Sequence, residues 1–175
     1  MGSLYAWSDR FPEAGPRPES YDGPWFTGLR PGAGDPELRL VEERLGRVLP
    51  PTYRDFLRFS DGWDFGPEEN VLGSAEVGWL RDLEPELARI WGPQEGDQVP
   101  SVPDDLYFDY GPEQNGFVRG EYVPHTLLVG HHDDGVYLLN PEVVTPEGEW
   151  EAWYLAPWLP GAVRARSFWE LMQEW

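Results

Sequence analysis

Between residues 125 and 158 the chain reads HTLLVG, then VYLLNP, then EWEAWYLAPW, and this constrains the fold more than any other feature. These are short apolar and aromatic runs bounded by Gly, Pro, Asn and Asp, the pattern of strands joined by turns. Segments 71–73, 106–110 and 116–123 are further strand candidates. Helical spacing lies on both sides of this region. Asp35 is placed to cap a first helix, Pro36 fits its first turn, Leu38, Val41 and Leu45 share a face, and Gly46 can end it. Pro50 and Pro51 open a second helix whose buried face is Tyr53, Phe56 and Leu57, and Ser60-Asp61-Gly62 closes it. A short third helix is predicted near 85–91, where Leu87, Ile90 and Trp91 cluster. At the end of the chain, Ser167 followed three residues later by Glu170 is a capping box. It precedes a face of Phe168, Leu171, Met172 and Trp175. Helices first, strands in the middle and a helix last predict an α+β fold. Its mostly antiparallel sheet is packed by N-terminal helices and a C-terminal helix.

Residues 1–34 have a different texture. Five prolines and six glycines separate Tyr5, Trp7, Phe11, Tyr21, Trp25 and Phe26. Six large rings are costly to leave in water. The segment is therefore expected to be an irregular arm lying over a body formed by residues 35–175.

Charge narrows the function. The chain has 32 acidic residues, 13 arginines and no lysine, for a formal net charge of −19. Residues 61–125 alone hold 15 acids and 3 arginines. Such a field repels nucleic acid and anionic membranes, attracts basic proteins and also favours solubility. There is no cysteine, hence no disulfide framework and no thiolate chemistry. No apolar run is long enough to span a bilayer, and MGSLYAWSDR lacks the order of a secretory signal, so a cytoplasmic protein is expected.

The stretch HHDDG at 131–135 sets four possible metal ligands in a row. Adjacent histidines in a strand face opposite sides, unlike the three-residue separation of helical zinc pairs. Asp134-Gly135 between two apolar runs favours a hairpin turn instead. A metal-assisted hydrolase using His131, His132 and Asp133 is the remote alternative. No catalytic residue, cofactor or metal ligand is assigned. The adjacent acids Asp104-Asp105, Glu68-Glu69 and Asp133-Asp134 accompany no recognisable base or nucleophile motif. Trp153 is expected in the core, while Trp158 is open between core and interface. Segment 103–114 mixes Asp104, Asp105, Asp109 and Glu113 with Tyr107, Phe108 and Tyr110. Acids for steering and rings for anchoring are what a surface needs to occupy a basic cleft, and Asp133 and Asp134 can add charge to it.

The stretch VEERLGRVLPPTYRDFLRFSDGW at 41–63 resembles the opening of the SUKH superfamily, the group containing the yeast Smi/Knr cell-wall regulator. The matching positions are Leu45, Gly46, Leu49, Pro50, Tyr53, Phe56, Leu57, Asp61 and Gly62, with Asp61 standing where Asn is commoner. Later, LLVG, HHDDG, VYLLNP and SFWELM follow the order of the group's apolar strand, acidic turn, Tyr-Leu strand and final helix. The resemblance covers about 35–175. It implies function by binding. Bacterial members are mainly immunity proteins that neutralise polymorphic or contact-dependent toxins, many of them nucleases, and yeast relatives are regulatory scaffolds. The expectation is a non-enzymatic immunity-type protein binding a basic toxin domain through an acidic face, the alternative a regulatory scaffold. Within the motif, Leu49, Tyr53, Phe56 and Leu57 are expected to be core, with Pro50 and Gly62 setting helix limits.

Overall fold

A computed structural model describes residues 5–23, 25–66, 68–111 and 116–174. Its centre is an eight-stranded sheet with every neighbouring pair antiparallel. The strands are β1 (Gly28–Leu29), β2 (Trp63–Asp64), β3 (Glu69–Val71), β4 (Gly78–Trp79), β5 (Leu127–His132), β6 (Gly135–Val144), β7 (Trp150–Leu155) and β8 (Ala162–Ala165). They lie in the order β1-β2-β3-β5-β6-β7-β8, and β4 pairs with the start of β5 while β3 pairs with its end. The helices are α1 (Asp35–Leu45), α2 (Pro51–Phe59), α3 (Leu80–Leu83), α4 (Pro85–Trp91), α5 (Asp104–Tyr107) and α6 (Phe168–Gln173).

Every residue of β7, WEAWYL, is buried, because both faces of the sheet are covered. Strand alternation sorts them. Trp150, Ala152 and Tyr154 join a core with Leu38, Val41, Tyr53, Phe56, Leu57, Phe168 and Leu171 from α1, α2 and α6. Trp153 and Leu155 join a second core with Leu80, Ala88, Tyr107 and Val123. Trp153 is fully buried, as its sequence context predicts. The molecule is thus three layers deep, with residues 80–111 and 116–125 forming an outer layer of which the sequence pattern indicated only the helix near 85–91.

The motif residues are structural. Leu49, Tyr53, Phe56 and Leu57 are all in the first core, and Tyr53 donates its hydroxyl to the Leu72 carbonyl at 2.8 Å. Gly46 ends α1 in the left-handed conformation, its φ of 70° costing glycine little. Gly62 has φ 100°, and a Cβ there would stand 2.9 Å from the Gly73 nitrogen. Asp61 fastens this end of α2 by accepting hydrogen bonds from the Ser74 amide at 2.6 Å and hydroxyl at 3.0 Å. Ser167 caps α6 by accepting from the Glu170 amide, while the Glu170 carboxylate accepts from the Arg166 amide.

Several expectations are corrected. The N-cap of α1 is Gly34, and Asp35 is already the first helical residue. Ile90 of α4 is exposed, and Ala88 makes the buried contact instead. Segment 106–110 is not a strand but overlaps the one-turn α5, and 116–123 leads into a 3-10 turn at Gly120–His125. The expectation for Trp175 falls outside the described residues. In the N-terminal segment, Trp7 and Phe11 sit in the first core against Phe56, and the Trp7 indole donates to Asp55 at 2.8 Å.

Candidate functional site

Residues 103–111 are held down by buried charge. Glu151 points from β7 into the second core and ion-pairs with Arg164 of β8 at 2.5 Å, both side chains fully buried. Asn140 on β6, directly opposite Glu151, donates to it at 3.0 Å. The hydroxyls of Tyr107 and Tyr110 donate to its two oxygens at 2.7 and 2.9 Å. Arg164 also donates to the Tyr107 carbonyl at 2.6 Å, and its guanidinium lies 4.0 Å from the Tyr107 ring centre. Burial and the adjacent Glu151 charge push both phenols well above their ordinary pKa, so they stay protonated donors. Buried Arg119 completes the clamp. It donates to the Val102 carbonyl, ion-pairs with Asp104, and lies 4.5 Å from the Tyr107 ring centre.

This corrects the expected contact surface. Tyr107 is fully buried and unavailable to a partner, because its ring and hydroxyl complete the Glu151 cluster. Tyr110 is partly buried for the same reason. Asp104 is exposed but paired with Arg119, while Asp105 and Asp109 are exposed. Glu113 lies outside the described residues. The rings that do face solvent in this segment and after it are Phe108 and Phe117. Sequence reasoning missed Glu151, Arg164, Asn140 and Arg119. The available signal was a single charge inside an apolar strand run, at Glu151 in WEAWYL and Arg164 in AVRA, since an isolated charge in such a run needs a partner across the sheet.

HHDDG is a hairpin bend, displaced by one residue from the expected position. His132 pairs with Gly135, so the two-residue turn is Asp133-Asp134 and Gly135 already belongs to β6. Asp133 takes the left-handed conformation with φ 49°. Gly135 is required by close approach, since a Cβ there would stand 2.5 Å from the Tyr154 ring. The two histidines diverge. His131 Nδ1 meets Asn70 Oδ1 at 3.0 Å, whereas the His132 ring packs near Tyr137 and Tyr154. Among the described residues, no three His, Asp or Glu side chains are grouped as a metal site. Asp133 and Asp134 are exposed, and the Trp158 indole donates to Asp134 at 3.0 Å, so Trp158 belongs to the surface. Glu151 lies four residues back along β7 from Leu155, which the register places near this tip. Asn140, opposite Glu151, is six residues along the chain from Asp134, so the two acidic groups are about 20 Å apart along the strand.

A family model described as the SMI1 / KNR4 family (SUKH-1) matches residues 32–174. The chain belongs to this family. The SUKH-1 match takes in all six helices and every strand except β1, and Trp7 and Phe11 precede it. No curated protein matches the chain. No helix among the described residues is long and apolar enough to cross a membrane. In this SUKH-1 domain the sequence motif at 49–62 supplies Tyr53, Phe56 and Leu57 to the core.

Proposed function

We propose that this SUKH-1 domain is a non-enzymatic immunity-type protein of the cytoplasm that binds and neutralises a basic toxin domain. The supporting observation is where the charges sit. Arg30, Arg54, Arg58, Arg89, Arg119 and Arg164 are paired with acids of the chain itself. Among the described acids only Glu149 and Glu151 are buried. The acidic excess therefore faces outward. Residues 61–125 hold 15 of the 32 acids, and within that stretch the layer over the second core carries exposed Leu83, Ile90, Val99, Leu106 and Phe108. Acids beside exposed apolar side chains suit a protein partner better than solubility alone, which needs no apolar surface.

The test is protection. The gene is expressed with each toxin-like gene encoded beside it, and growth and complex formation are measured. Rescue together with a stable complex is expected for one neighbour. Neither rescue nor binding to any neighbouring product contradicts the reading, and capture of several housekeeping proteins instead favours a scaffold.

A further inference from the structure

The strand register gathers three connections on one rim of the sheet. The β2–β3 connection carries Phe65 and Glu68, and Glu69 opens β3. Glu69 pairs with His132, which leads into the Asp133-Asp134 tip, and Val136 pairs with Leu155, which leads into the loop bearing Trp158. Across β3, β5, β6 and β7 this strip is about 15 Å wide. Its two exposed rings are already fixed in place. Trp158 is 58% exposed, yet its indole is bound to Asp134 and its ring centre lies 6.2 Å from that of Tyr154. Phe65 is 41% exposed and stacks on Trp63 at 5.4 Å and Phe26 at 5.9 Å. No arginine occurs in residues 64–70, 131–136 or 155–161.

The interior shows how this chain holds a guanidinium. Arg119 lies over Tyr107 and pairs with Asp104, and Arg164 lies over Tyr107 and pairs with Glu151. Each site is a ring plus a carboxylate. The rim repeats that combination at Trp158 with Asp134, and beside it Phe65 is tied through its amide to the Glu69 carbonyl at 3.0 Å, while the Glu69 carboxylate stands 3.8 Å from His132 Nδ1. We propose that this rim is the docking surface for arginine side chains presented by the basic protein partner. Guanidinium groups stack on Trp158 and Phe65 while Asp133, Asp134, Glu68 and Glu69 supply the opposing charge. Rings held rigid lose little freedom on binding, which favours them as anchors. In segment 103–114 the equivalent ring, Tyr107, is already occupied by the chain's own arginines.

This inference rests on the basic-partner reading, and one experiment separates their failures. The full chain, labelled with nitrogen-15, is titrated at low salt with a hexa-arginine peptide and, separately, with a hexa-lysine peptide. The largest shifts are expected at the Trp158 indole N–H and the amides of Phe65, Glu69, Asp133 and Asp134, with the arginine peptide binding tighter. Trp158→Ala is expected to melt like the parent and weaken the arginine peptide about fivefold to tenfold. Saturable binding that maps to Asp105 and Asp109, or that ignores Trp158→Ala, overturns the rim and leaves a basic partner standing. No saturable binding of either peptide overturns both.

Discussion

Glu151 shows most clearly what one residue decides in this fold. A carboxylate on a strand buried on both faces is tolerated because four donors converge on it: Arg164, Asn140, Tyr107 and Tyr110. Glu151→Ala leaves a buried guanidinium without its counter-charge and is expected to cost about 3–5 kcal/mol in chemical denaturation. A cost close to that of an ordinary surface substitution would mean that the cluster does not hold α5 to the sheet. His131 gives a pH signature. Burial, opposed by the nearby Glu84 charge, holds its imidazole below the ordinary 6.5. The folded state thus binds fewer protons than the unfolded state as this group titrates. Its contribution to stability is present above pH 6.5 and is lost as pH falls below it. Replacing His131 by Gln, which keeps an amide donor for Asn70, is expected to flatten the pH dependence of unfolding free energy just below 6.5; an unchanged slope contradicts the assignment.

Among the elements, α2 and α6 pack on each other and on the first face of the sheet. The Phe56 and Phe168 ring centres are 5.5 Å apart. Phe56→Ala is expected to cost about 3–5 kcal/mol, as large-to-small core changes do. Ser167→Ala removes one cap bond from α6 and is expected to cost about 1 kcal/mol. Thermal melts of the two variants check the order: a cap loss equal to the core loss would contradict the packing. These elements were legible in the sequence because a period of three to four apolar residues and a capping signal agree. Strands β5, β6 and β7 were legible because their apolar runs are continuous. Strands β1, β2 and β4 were not, since two-residue strands carry no period. Segment 106–110 misled because Leu-Tyr-Phe-Asp-Tyr has strand composition. Its conformation is set by Tyr107 and Tyr110 reaching a carboxylate 41 to 44 residues away in the chain. That long-range bond has no local signature, and it is also why the expected contact ring Tyr107 turned out to be interior.

At the scale of the whole molecule, a SUKH-1 core has its arginines largely engaged internally and its acids left outward. A net charge of −19 acts beyond contact distance, but only over about 8 Å at physiological ionic strength, so it should speed encounter more than it strengthens the final complex. The most direct measurement is therefore the association rate with the toxin domain encoded beside the gene, followed by surface binding kinetics from low to high salt. The expected result is an association rate that falls steeply with salt while dissociation changes little. Association indifferent to salt, or no complex with any neighbouring toxin domain, would contradict the acidic binding-protein reading.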